Sequence, residues 1–340
     1  MLPLVYRALQ RSDLVPALPP WVVDRLRGGA VVVAARNLML FSELRVILRA
    51  FEDRQVSCAP LRGLALAEQL YGDITARPMG DLDLLVQKED LAHVATILRE
   101  RGFRAMDRRP GFAEAFSYTL EFLKEPGGSV IVEPHWTITY PPFVDTIDMR
   151  AIWRRCTRGR VVGVDTWVLR TEELVLHLCL HVAHRNGAAP LLWLYELDRL
   201  LRREAEAFDW QQFVSFARQA KLEPLILRVL RQVQALFVTP VPADVLERSA
   251  LAPPSSSEGR WVRLLGQQSR VDGKESFLVF FALKGLRAKL RYAFALLFPS
   301  PAFMLTHYGL TRRRQLGPAY VRRVCRLSWE SLKGVVALLS

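Results

Sequence analysis

Residues 61–86, LRGLALAEQLYGDITARPMGDLDLLV, end in six residues that predict a short buried strand opening with two carboxylates. Strand side chains alternate faces, so Asp81 and Asp83 point one way and Leu82 and Leu84 the other. Two acids about 7 Å apart on one face make an oxygen-rich site for a hard divalent cation. Buried together without a cation they would repel, and one would take up a proton. Upstream, VSCAPLRG predicts a strand running into a turn at Gly63, and LALAEQLYG predicts a helix closed by Gly72. DITARPMG then forms a loop in which Pro78 and Gly80 set the approach to the acidic strand.

Downstream, KEDLAHVATILRERG has acids in its first turn, arginine in its last and Gly102 as its stop, which predicts a helix. FRAM and SYTLEFLKE follow as strands, Gly127-Gly128 as a hairpin turn, and SVIVEPHWTI as a further strand. On that last strand Ile131, Glu133 and His135 share a face. Laid beside DLDLLV, it would make Glu133 the third carboxylate of the site. His135 could orient Glu133, contact a base, or pack at the core edge. Arg62 and Arg77 flank the acids; a guanidinium suits phosphate oxygens, and the plain alternative is a solvated surface arginine.

Residues 1–55 read as mostly helical, with Gly28 and Gly29 expected to divide WVVDRLRGGAVVVAARNLMLFSELRVILRAFEDR into two helices. The expected organisation is an N-terminal helical segment at 1–55, a sheet-containing core at 56–164, a helical domain at 165–249, a linker at 250–260 and a basic amphipathic helical region at 261–340. Residues 165–236 read as helical throughout. His177, His181 and His184 fall on one helical face. Spacing of i, i+4 suits a zinc site, packing against the core is the alternative, and lining a substrate cleft is a third.

Glycine at a strand-to-helix turn, then a helix, then Asp-x-Asp on a hydrophobic strand resembles the signature of the polymerase-β-like nucleotidyltransferase superfamily. "LRG…LY.D…RPMGDLDLLV" with "VEPHW" downstream resembles more narrowly a bacterial family of uncharacterised nucleotidyltransferases. Leu64 stands where the superfamily usually has Gly or Ser, and the interval from Gly63 to Asp81 is longer than usual there. The resemblance implies a mixed α/β (α+β) fold: a small mixed sheet with N-terminal helices before it and helical domains after it. It implies Asp81, Asp83 and Glu133 as catalytic and metal-binding residues holding two Mg²⁺ ions, with Mn²⁺ as a substitute. It implies Gly63, Arg62, Arg77, Gly80 and His135 around an NTP, expected to be ATP, and nucleotidyl transfer to an acceptor hydroxyl. Members of the narrower family resemble accessory proteins of bacterial biosynthetic clusters. A non-catalytic adaptor retaining the fold is the alternative, and a basic nucleic-acid- or membrane-binding protein a third.

Half the residues are apolar, which excludes a disordered chain. Four scattered cysteines without a C-x-x-C pair argue for a reducing cytoplasm and against a disulfide framework or zinc knuckle. No signal peptide and no membrane-spanning segment is expected. The net charge is +13 and is unevenly spread. Residues 258–340 carry fifteen Lys/Arg against four Asp/Glu. That quarter predicts an anionic partner: nucleic acid, an anionic membrane surface or a phosphorylated substrate, with peripheral attachment to the inner membrane face in the second case.

Overall fold

The computed structural model describes residues 2–12, 14–125, 129–140, 143–144, 146–185, 189–247, 279–280 and 283–339. DLDLLV becomes β2 (Asp81–Val86) in a five-stranded mixed sheet with β1 (Cys58–Pro60), β3 (Arg104–Ala105), β4 (Phe122–Lys124) and β5 (Val130–His135). The strand order is β1-β2-β5-β4-β3. β2 and β5 pair in parallel, while the other neighbours are antiparallel. A parallel pair needs a long crossover, and the chain from 87 to 129 supplies it.

Two cores lie on the two faces of this sheet. Leu82, Leu84, Val86, Val130 and Val132 pack against Leu44, Ile47 and Phe51 of the long N-terminal helix and against Val94, Ile97 and Leu98 of the crossover helix. Ala59 and Leu85 face the other way, into a larger core built mainly from downstream helices. Asp81 and Asp83 share this second face with Leu85. The acids therefore sit between sheet and helices rather than on an outer surface.

The N-terminal helices are α1 (Leu2–Arg11) and α2 (Pro20–Asp53). The expected break at Gly28-Gly29 does not occur: α2 runs unbroken for 34 residues, roughly 50 Å. A Cβ on Gly29 would lie 2.7 Å from Leu2 Cδ1, so α1 rests directly on the helix backbone there. Close packing offsets the poor helix propensity of glycine. Next come α3 (Leu64–Tyr71), α4 (Leu91–Glu100), the short α5 (Phe112–Phe116) and α6 (Met149–Arg155).

Residues 165–236 are not helical throughout. A second, two-stranded sheet forms from β6 (Thr157–Val161) and β7 (Val164–Val168). Val162 and Gly163 both have positive φ, 48° and 76°. This is the backbone that two-residue hairpin loops favour. Thr166 Oγ1 donates to the Cys58 carbonyl at 2.7 Å, tying the hairpin to β1. The sheet unit thus extends through Val168.

The downstream helices are α7 (Thr171–His184), α8 (Leu191–Arg203), α9 (Trp210–Gln219), α10 (Glu223–Phe237) and α11 (Ala243–Glu247). Val175, Leu178 and Cys179 of α7, Leu197 and Leu200 of α8, and Leu225 and Leu230 of α10 form their common core. The Gly127-Gly128 turn and the 250–260 linker lie outside the described residues. The basic region contributes α12 (Leu286–Leu297), α13 (Pro301–His307) and α14 (Leu316–Leu339). Phe112 of α5 and Tyr292 of α12 stack at 5.6 Å, and Arg109 Nε donates to the Phe298 carbonyl at 2.6 Å.

Candidate active site

The loop from residue 73 to 80 fixes how the chain enters β2. Asn37, fully buried on α2, donates through Nδ2 to the carbonyls of Ile74 (2.5 Å) and Arg77 (2.7 Å). Arg7 of α1 pairs with Asp73 at 2.5 Å, and Arg36 of α2 donates to the Gly80 carbonyl at 2.9 Å. The N-terminal helices therefore position the acidic strand, a role the sequence reading did not assign them. A buried Asn in an otherwise apolar helical stripe was the available signal.

Gly63 has φ +60° and ψ −116° at the start of α3, a backbone that a side chain would strain. Its surroundings are Met79 Sδ and the Asp81 carbonyl, 3.7 and 3.8 Å from where a Cβ would be. The glycine turn thus lies against the first residue of the acidic strand. Gly80 has open space beside it.

In the β2–β5 register Asp81 lies opposite Ile131, Asp83 opposite Glu133 and Leu85 opposite His135. Side chains at such positions share a face. Asp83, Glu133 and His135 accordingly bring one ligand atom each to within 4.8 Å of one another, the one such grouping among the described residues. His135 Nε2 donates to Asp83 Oδ1 at 3.1 Å and lies 3.7 Å from Glu133 Oε2. Asp81 stands outside this tight grouping, at the strand's entrance, yet within electrostatic reach. Burial, then the charge of Asp83, pushes its carboxyl upward.

Arg62, on the loop between β1 and α3, donates from Nη2 to Asp83 Oδ2 at 2.6 Å. Burial opposes ionisation of Asp83, but Arg62 and His135 outweigh it and hold the carboxyl well below its usual range. Glu133 goes the other way: burial, then Asp83 and Asp81, push it up to about 8. One arginine does not neutralise this many acids. A further carboxylate, Glu121, adds to the excess; burial and Asp81 raise it. The sequence reading missed Glu121: alternation sets it opposite in face to Phe122, but only the pairing of Phe122 with Val132 brings that face to Glu133.

Asp83, Glu133 and His135 could together hold a metal ion. The two carboxylates are hard oxygen donors of the kind Mg²⁺ and Mn²⁺ take, and the imidazole beside them is a softer donor; the raised Glu133 reflects its burial beside Asp83 and Asp81.

Arg77, expected as a phosphate contact, acts on Asp81 through its charge but has a protein partner of its own. It is buried and pairs with the buried Glu196 of α8, at 2.6 and 3.2 Å. The histidine face of α7 also turns toward the site rather than gathering its own metal. Arg62 Nη1 donates to His181 Nε2, whose ring lies tilted against that of Trp193, with centroids 3.8 Å apart. His177 donates through Nδ1 to the Ile138 carbonyl at 3.0 Å, and its Nε2 is buried with no partner among the described residues. His184 lies against Tyr140, ring to ring at 4.2 Å. Burial, then Arg62, pushes His177 down to about 3 and His181 lower still, so both are neutral.

No curated protein matches the chain. Among solved structures, it is similar to the antibiotic-resistance factor ANT(2'')-Ia, with 16% identity and a TM-score of 0.38, over 59% of this chain and 96% of that one. The family model described as "uncharacterised nucleotidyltransferase" matches residues 1–238. That span takes in the N-terminal helices that hold the 73–80 loop, both acidic strands and the histidine face of α7. On this match the chain belongs to the uncharacterised nucleotidyltransferases, and it is a transferase of that kind.

Proposed function

We propose that this protein is a divalent-cation-dependent enzyme that transfers the nucleotidyl group of an NTP, ATP by expectation, to an acceptor hydroxyl. One observation carries the reading: parallel pairing of β2 and β5 sets Asp83 beside Glu133 and completes a three-donor cluster with His135. Asp81, Asp83 and Glu133 would hold the cations, with His135 as an added donor. Bound there, divalent cations supply charge neutralisation for the triphosphate and make the acceptor hydroxyl easier to ionise. The chain's own groups do the rest. The Gly63 turn would receive phosphate oxygens at the first turn of α3, and Arg62 would add a guanidinium to them. The acceptor oxygen would bond to the α-phosphorus as the bond to pyrophosphate breaks, with the hydroxyl proton passing to solvent water.

A second reading is favoured by a specific contact. Both oxygens of Asp83 are already engaged, one by Arg62 and one by His135, as a fold kept for binding without turnover would have them. The test is release of pyrophosphate from α-labelled NTP with Mg²⁺ or Mn²⁺, screened over nucleic acid, sugar, antibiotic and protein acceptors, with the product identified by mass. Asp81→Asn and Glu133→Gln should each lower the rate by about 100-fold or more with an unchanged melting profile. Nucleotide binding without turnover across all acceptors would establish the adaptor reading instead. We place the protein in the cytoplasm, with Cys58, Cys156 and Cys179 as buried free thiols. The basic C-terminal quarter we assign to an anionic partner rather than to catalysis.

A further inference from the structure

The C-terminal helices show water a pattern that a water-facing helix does not need. On α12 the inner face is Tyr292 and Ala295, which join Phe112 in a small apolar cluster. The outer face carries Leu286, Leu290 and Phe294, which are 73%, 61% and 56% exposed. They recur every fourth residue and so form one line along the helix. Arg287 and Arg291, each one residue further on, are exposed and run beside that line.

α14 repeats the arrangement. Its inner face is set by the buried Arg323, which donates to the Leu296 carbonyl at 2.9 Å and to Tyr308 Oη at 2.8 Å. Its outer face presents Val321, Cys325 and Trp329 at the same four-residue interval, all exposed. Arg322 and Arg326 again follow one residue later and are exposed. Arg312, Arg313 and Arg314 precede the helix, also exposed.

We propose that α12 and α14 dock the protein onto an anionic lipid bilayer. Leu286, Leu290 and Phe294 enter the boundary between headgroups and acyl chains, and the arginine rows lie among the headgroups. Apolar residues along one helix face with cations at its margin are what an interfacial helix requires. The surplus of fifteen cations over four acids in residues 258–340 supplies long-range attraction to an anionic leaflet. No described helix is long and apolar enough to cross a membrane, so the helices lie on the bilayer rather than through it.

The same arginines could meet nucleic-acid phosphates, but the residues between them argue against that partner. A nucleic-acid surface gains from aromatic platforms open to bases. On α12 the line is led by two aliphatic leucines, and Trp329 on α14 is of the residue type that sits at the headgroup level of a bilayer. The inference stands independently of nucleotidyl transfer.

The experiment is co-sedimentation of the full-length protein with vesicles of phosphatidylcholine alone and of phosphatidylcholine with phosphatidylglycerol. The wild type should pellet with the anionic vesicles and stay in solution with the neutral ones. Leu286→Glu with Leu290→Glu, at two of the most exposed positions, should lower binding by about tenfold or more without changing the melting temperature. Arg287→Glu with Arg291→Glu, a second independent variant, should lower it too and remove much of its salt dependence. Failure of the wild type to bind anionic vesicles would overturn the proposal. So would undiminished vesicle binding by the leucine variant, which would leave a purely electrostatic attraction. A labelled oligonucleotide that displaces the wild type from vesicles, and binds the leucine variant equally well, would assign the surface to nucleic acid.

Discussion

Arg62 occupies a position that a cation would contest. Its guanidinium holds Asp83 Oδ2, and its other amino group is held by His181. Asp83 therefore has a resident positive charge in the protein alone, and an incoming divalent ion must share or displace it. Replacing Arg62 should consequently have opposite effects on two measurements. Arg62→Met should tighten binding of Mn²⁺ to the free protein by about tenfold, as the competitor is gone. It should weaken binding of the Mn²⁺–nucleotide pair, as a phosphate donor is gone. Electron paramagnetic resonance of free Mn²⁺ reads both without turnover; equal effects of the same sign would count against a dual role. That Asp83 and Glu133 could come to one face was legible in the sequence because alternation fixes faces once the two strands are laid side by side, as the β2–β5 register lays them. The partner of Arg62 was not legible: nothing in the spacing of LRG foretells a contact with a helix more than a hundred residues away.

At the scale of elements, α7 is the wall of the site opposite the sheet. Its N-terminal signature and length could be read from TEELVLHLCLHVAHR, but which way its histidines turned depended on how the helix packs. His177 is buried in neutral form, held down to about 3 against an ordinary value of 6.5. The unfolded chain takes up a proton there below about pH 6.5, whereas the folded protein refuses it until near pH 3. Stability contributed by this site is therefore intact above pH 6.5 and is lost progressively as the pH falls toward 3. Thermal melting followed from pH 7 to pH 4 should show that loss, and His177→Asn should make the curve flatter over the same interval. The unforeseen β6–β7 hairpin teaches a related lesson. TRGRVVGVDTWV mixes charges into both strands, and its turn depends on a valine with positive φ, which composition does not flag. Likewise, Gly28-Gly29 looked like a break because propensity is local, whereas α1 lying across it is not.

Across the whole molecule, the sheet and the helical bundle are joined by charge as well as by apolar packing. Arg77 and Glu196 are 5% and 1% exposed and meet at 2.6 Å. Tyr71 Oη approaches the same carboxylate at 3.5 Å. Breaking such a pair from one side strands a charge, at a cost of roughly 3–5 kcal/mol. Arg77→Met should destabilise the protein by about that amount in chemical denaturation, and adding Glu196→Gln should restore a substantial part of it. The broad plan of helices, small sheet and helices followed from periodicity and from the glycine–helix–acid order. The joint between the two units did not, because an arginine next to an Asp-x-Asp strand suits a phosphate and a distant glutamate equally well on paper. For anyone scanning this protein by alanine substitution, the consequence is practical. A dead Arg77 variant would be filed with the acids if turnover were the only assay, and a loosened joint would be read as lost chemistry.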